Sequence, residues 1–163
     1  MSNPALSPSA GFDLTPPSAD ERQRLEAGLS RDEAEVLLKH GTEAPFCGGL
    51  LGNKQNGVYC CRLCGLPLFR AETKFESGTG WPSFYAPIAE ANVRAVRDAS
   101  YGMVRIETRC ARCNSHQGHV FPDGPPPTKL RYCINSVSLE FAPDGQPLRD
   151  PLGRGDDAHL GAA

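Results

Sequence analysis

Val58-Tyr-Cys-Cys-Arg-Leu-Cys-Gly65 joins two signals in one short stretch. Val58–Cys61 is a β-forming run, and it passes straight into the pair Cys61-Arg-Leu-Cys64, closed by a glycine that tolerates left-handed backbone. The same grammar recurs at Cys110-Ala-Arg-Cys113, followed by Asn114, the other residue type that enters that region readily. Thiolates two residues apart on such a turn can converge on one tetrahedral ion, so Cys61, Cys64, Cys110 and Cys113 are expected to hold a single structural Zn²⁺. The competing readings are a redox Cys-x-x-Cys or two disulfides. A thioredoxin-like redox pair belongs beside a βαβ pattern, and none is present.

The rest of the chain agrees with a small unit clipped by metal. Its 163 residues suffice for one core but leave it short of apolar volume, so a metal clip helps. Seven cysteines is an odd number, and the opening Met1–Leu14 lacks the basic start and apolar run of a secretory signal. A cytoplasmic protein is expected. With 17 basic and 19 acidic residues, net charge −2, there is no electrostatic footprint for nucleic acid. No apolar run approaches the roughly 18 residues of a membrane span.

Three regions follow from texture: a flexible leader over 1–17, one domain over 18–143, and a disordered tail over 144–163. Ser18-Ala-Asp-Glu21 and Ser30-Arg-Asp-Glu33 are capping boxes that should open two short helices, the second ending near His40-Gly41. From about residue 41 the pattern turns to alternating runs broken by Gly, Pro and Asn. Strands are expected at Val58–Cys61, Val93–Arg97, Met103–Arg109, Gly118–Phe121, Lys129–Asn135 and Val137–Phe141. No helical pattern long enough for a crossover lies among them, so the pairing should be largely antiparallel.

Period-two geometry then sorts the candidate chemistry. In Lys129–Asn135 the apolar Leu130, Tyr132 and Ile134 share one face, leaving Arg131, Cys133 and Asn135 on the other. A lone cysteine is usually buried and inert. Cys133 instead has polar strand-mates, a setting expected to favour the thiolate, and His116 and His119 are available as acid or base partners. The alternation puts His119 on the same face as Phe121. Because four thiolates already close a zinc shell, catalytic or pocket-forming roles suit these imidazoles better than ligation. Trp81, the only tryptophan, reads either as a core anchor or as an aromatic wall for a small group such as a methyl. Cys47 lies in a Pro- and Gly-flanked loop, whereas Cys60 reads as core.

Taken in order, Thr42-Glu-Ala-Pro-Phe46, Cys61-Arg-Leu-Cys-Gly65, Ser77-Gly-Thr-Gly-Trp-Pro-Ser-Phe84, Cys110-Ala-Arg-Cys113, His116-Gln-Gly-His-Val-Phe121 and Arg131-Tyr-Cys-Ile-Asn-Ser136 closely resemble the methionine sulfoxide reductase B family. The resemblance spans about residues 30–143. It implies a mainly β fold of two antiparallel sheets, tent-like, with short N-terminal helices and a four-cysteine zinc. It also implies reduction of the R epimer of methionine sulfoxide in oxidised proteins, with thioredoxin as reductant; a monomer is expected. Carried over by position, Cys133 is the nucleophile with His119, His116 and Asn135 around it, and Trp81, Phe121 and Arg131 form the substrate site.

One departure matters. Many members carry their second, resolving cysteine where this chain has Thr79, so Cys47 is the expected substitute, with direct reduction by an external thiol as the alternative. A non-catalytic zinc module of the related β-tent type would need no reactive thiol, and Cys133 together with His119 and Cys47 weighs against it.

Overall fold

The computed structural model describes residues 11–155. Both capping boxes form as their spacing predicts. Ser18 caps α1 (Ala19–Ala27) and Ser30 caps α2 (Arg31–Leu37), each accepting from the Glu three residues on and donating back to it. Helix α2 stops at Leu37, slightly before the expected end; His40 takes φ 60° and the Gly41 N–H donates to Glu35 O at 3.0 Å, which turns the chain. Val36 and Leu37 are the buried residues of α2, while α1 buries none.

Among the described residues nine strands make two antiparallel sheets. β1 (Gly57–Cys61), β2 (Pro67–Arg70) and β9 (Leu139–Pro143) form a three-stranded sheet ordered β2-β1-β9. β3 (Lys74–Phe75), β4 (Ser83–Phe84), β5 (Val93–Asp98), β6 (Arg105–Cys110), β7 (His116–Phe121) and β8 (Arg131–Ile134) form the second, ordered β3-β4-β8-β7-β6-β5. Every pairing is antiparallel. Tyr59, Leu68 and Phe69 from the first sheet meet Phe84 and Ile134 from the second, all at 0 % exposure, with Phe69 stacked on Phe84 at 4.4 Å. Burying side chains of this size stabilises by about 1.5–3 kcal/mol each.

Three expected strands are trimmed by turns with local causes. The strand expected from Met103 begins at Arg105, because Tyr101 sits at φ 57° and the Met103 N–H donates to Ser100 O. The one expected from Lys129 begins at Arg131, because Lys129 at φ 61° closes a loop with Pro125 and Gly124. The last begins at Leu139, after a 3₁₀ turn over Ser136–Ser138. Strands β2, β3 and β4 lie outside the expected set: β2 is buried at three consecutive positions, and the other two are too short to alternate.

The ends are also more ordered than their composition suggests. Phe12, within the expected leader, is buried in the core. The expected disordered tail is held as far as residue 155: Arg149 donates to Glu140 and to the Arg62 carbonyl, Pro151 packs on Gly65, and Asp150 accepts from the Arg154 and Gly155 amides. Residues 1–10 of the leader and 156–163 of the tail lie outside the described residues. Among the described residues no helix is long and apolar enough to cross a membrane.

Candidate active site and four-thiol cluster

The two knuckles fall at strand ends belonging to different sheets. Cys61 ends β1 and Cys110 ends β6, and each pair turns on a left-handed residue, Gly65 at φ 82° and Asn114 at φ 65°. The four sulfurs lie within 4.8 Å of one another, with Cys61 Sγ 3.6 Å from Cys113 Sγ and Cys64 Sγ 3.5 Å from Cys110 Sγ. All seven cysteines are free of disulfides. A tetrahedral zinc with Zn–S of about 2.3 Å sets neighbouring sulfurs about 3.8 Å apart, so this donor set fits the ion closely. The cluster is fully enclosed, which suits a structural role with four protein ligands.

The other chemistry lies on one rung of the six-stranded sheet. Ser83 of β4 pairs with Cys133 of β8, Cys133 with His119 of β7, and His119 with Glu107 of β6. Direct cross-strand partners share a face with Cα atoms about 4.5–5.5 Å apart, so the thiol and the imidazole are adjacent by register alone. Gly118 allows this approach, since a Cβ there would collide with the Cys133 carbonyl. Cys133 is half-buried in a cavity of about 280 Å³ that it shares with Trp81, Phe121, His119, Arg131, Asn135, Thr79, Thr42, Arg105 and Gly118. Leu130 and Tyr132 instead line a cavity on the opposite side of β8, as the alternation predicts.

Of the predicted site residues, Cys133, His119, Asn135, Trp81, Phe121 and Arg131 line this cavity, and His116 and Cys47 do not. His119 donates from Nε2 to Asp98 Oδ2 at 2.8 Å, which holds the Asp98 carboxyl well below the usual carboxylate range. No described residue hydrogen-bonds to Nδ1 of His119. His116 lies outside the cavity: it is 2 % exposed, donates from Nδ1 to Glu107 Oε2 at 2.5 Å, and leaves Nε2 buried without a partner. Burial holds His116 below the ordinary imidazole pKa, partly offset by Glu107. Its ring centroid is 5.6 Å from that of His119. Asn135 has both amide atoms engaged, Oδ1 accepting from the Glu43 N–H at 3.0 Å and Nδ2 donating to Gln117 O at 3.1 Å. Trp81 donates from Nε1 to the Glu43 carbonyl at 3.0 Å, which fixes the indole as a wall. The Arg131 guanidinium stacks 4.4 Å over Phe121 and grips Asp123 with two hydrogen bonds, at 2.9 and 3.1 Å.

One electrostatic expectation is overturned. Burial pushes the Cys133 thiol above its ordinary pKa; the Thr79 hydroxyl and the Arg131 guanidinium pull the other way without prevailing. Burial is the largest cause, and the Glu43 carboxylate adds to it. Cys60, in β1 of the first sheet, is 4 % exposed, and burial raises its thiol strongly. Cys47 is exposed, one residue beyond Phe46, whose N–H donates to the Gly80 carbonyl at 2.7 Å. Its loop is therefore fastened to the turn that carries Thr79 and Trp81.

Sequence reasoning did not single out Glu107, Asp98 or Thr79 as companions of the site, although it noted Thr79 as a departure. Glu107 accepts from His116, His40 and Arg109, and although burial opposes it, these donors lower its pKa to about 2. Alternation along β6 puts Arg105, Glu107 and Arg109 on one face, but only the sheet order brings that face beside the histidines.

A thiol beside an imidazole, with that imidazole oriented by a carboxylate, can attack an electrophile and supply a proton to what leaves. The geometry thus defines a candidate cysteine-dependent enzyme. Known proteins narrow the class: a SelR domain matches residues 29–143. The chain is 75 % identical over 156 residues to the peptide methionine sulfoxide reductase MsrB of Caulobacter vibrioides, covering 96 % of this chain and 98 % of that protein. It is 61 % identical over 146 residues to the protein of the same name from Xylella fastidiosa, covering 90 % and 94 %, and 55 % identical over 130 residues to that of Escherichia coli O139:H28, covering 80 % and 92 %. The chain belongs to the methionine sulfoxide reductase B family and is an enzyme of that type.

Proposed function

We propose that this enzyme reduces the R epimer of methionine sulfoxide in oxidised proteins, with Cys133 as nucleophile and thioredoxin as final reductant. The observation that carries the reading is the register pairing of Cys133 with His119 at a cavity walled by Trp81 and Phe121, in a chain of this family. The methyl group of the sulfoxide fits against the aromatic walls, which leaves its oxygen toward the imidazole. The Cys133 thiolate attacks the sulfoxide sulfur while His119, oriented by its hydrogen bond to Asp98, protonates the oxygen. Thiolate, sulfoxide and one proton yield methionine and a sulfenic acid on Cys133. The Cys47 thiol then condenses with that acid, releasing water and forming a Cys47–Cys133 disulfide, which the thioredoxin dithiol opens by exchange.

His116 and Asn135 act as supports in this scheme, His116 through contact with the His119 ring and Asn135 through its hold on the Glu43 segment. Arg131 orients the substrate from the rim. Zinc on the four knuckle thiols supplies a crosslink between the sheets and takes no part in the chemistry. Seven unpaired thiols support work in a reducing cytoplasm, as a repair enzyme under oxidative stress.

The discriminating assay supplies separated R and S epimers of a blocked methionine sulfoxide with dithiothreitol. The R epimer alone should be consumed, and Cys133→Ser should be inactive with either reductant. Consumption of the S epimer at a comparable rate would overturn the assignment.

A further inference from the structure

The Cys133 cavity does not end at His119. A second cavity of about 750 Å³ shares Thr42, Arg105 and His119 with it and continues over the face of β6 that carries Arg105, Glu107 and Arg109 to the connection between β5 and β6. Four cations line this extension: Lys39, Arg97, Arg105 and Arg109. The two carboxylates there are already consumed, Asp98 by His119 and Arg105, and Glu107 by His40, His116 and Arg109. Arg97, paired with Ile106 on the edge strand β5, borders the groove at its rim, is exposed and has no ion-pair partner among the described residues; Lys39, with its side chain 72 % exposed, has only Glu35 at 3.9 Å. Tyr101 at 89 % exposure and Met103 at 51 % add apolar surface along the same groove. A cationic channel on a chain of net charge −2 is a local arrangement and does not follow from bulk composition.

We propose that this groove holds the polypeptide flanking the methionine sulfoxide and selects substrate segments that carry Asp or Glu within a few residues of it. The inference rests on the function proposed above and names the substrate class for it. With the sulfoxide seated at Cys133, an extended chain leaves past His119 and Arg105 and crosses between Lys39 and Arg97. Acidic side chains there meet cations that the protein leaves unneutralised, while basic ones meet like charge. The groove is large enough for several extended residues, and its apolar rim accepts chain without regard to sequence.

The test compares kcat/KM for short peptides carrying one (R)-sulfoxide flanked by Asp pairs or by Lys pairs, alongside the blocked amino acid sulfoxide. The wild-type enzyme should favour the acidic peptide by roughly 5–20-fold in low salt, and the preference should shrink in about 0.5 M salt, where screening shortens to about 4 Å. Lys39→Glu/Arg97→Glu should abolish or reverse the preference and leave turnover of the blocked amino acid unchanged, which also reports intact folding. Equal turnover of the two peptides by a wild-type enzyme active on the blocked amino acid overturns the groove proposal alone. If no sulfoxide is reduced, the functional reading fails. The groove is then judged by fluorescence anisotropy of the same labelled peptides on Cys133→Ser: tighter acidic binding lost in the double charge reversal supports it, and equal binding overturns it.

Discussion

At the residue scale the resting thiol is held back. Burial outweighs Thr79 and Arg131 at Cys133 and holds the thiol above its ordinary value. Alkylation of Cys133 by iodoacetamide, followed by peptide mass spectrometry, should therefore inflect above the ordinary thiol value of 9.0. Replacing the hydrogen-bonding Thr79 by Val should move the inflection further up. An inflection at or below neutrality would mean that Arg131 dominates after all. For the acid, His119→Ala should lower reduction of the R epimer by roughly 10²–10⁴-fold, the usual worth of a positioned proton donor, with the fold intact. Loss of only a few-fold would transfer that role to a water molecule.

The elements around the rung carry separate loads. The loop containing Cys47 is tied to the Thr79–Trp81 turn through Phe46 and Gly80, and the Cys47 thiol is exposed. Cys47→Ser should still release about one methionine per enzyme, stop at a dimedone-reactive Cys133, and lose turnover with thioredoxin while keeping part of it with dithiothreitol. Full thioredoxin turnover in that variant would leave direct reduction of the sulfenic acid as the working route. On β6, Glu107 accepts from Arg109, His116 and His40, and its carboxyl lies at about 2 in the folded protein against 4.5 ordinarily. The unfolded chain therefore binds the extra proton first as pH falls. Glu107 stabilises fully above about pH 4.5 and loses its contribution on the way down to about pH 2, a span worth about 2–3 kcal/mol. Denaturant melts across that range should steepen this loss in wild type relative to Glu107→Gln, and parallel curves would count against it.

Across the whole molecule the four-thiol cluster joins the two sheets at the ends of β1 and β6. β1 and β6 belong to different sheets, and each ends in the cluster, so an ion there ties them directly. Purified protein should carry one zinc per chain, and chelation or Cys110→Ser should lower Tm substantially, because metal affinity becomes folding free energy. Active, stable protein without stoichiometric metal would remove zinc from the account.

Much of this was legible in the residues alone, because the relevant signals are local. Cys-x-x-Cys followed by Gly65 or Asn114 specifies a knuckle, Ser-x-x-Glu specifies each helix start, and alternation within 129–135 separates Arg131, Cys133 and Asn135 from the core side of β8. Six ordered motifs likewise sufficed to point to the family that residues 29–143 match. Strand order and register could not be read this way, since they depend on partners distant in sequence. Only the tertiary structure set Cys133 opposite His119 and Glu107 next in the same rung, with Asp98 arriving from β5 to hold the imidazole. It also reversed the expected thiol electrostatics. Neighbouring charges are visible in a sequence, but desolvation depends on how much of the molecule closes around the sulfur, and that exists only once the sheets have packed.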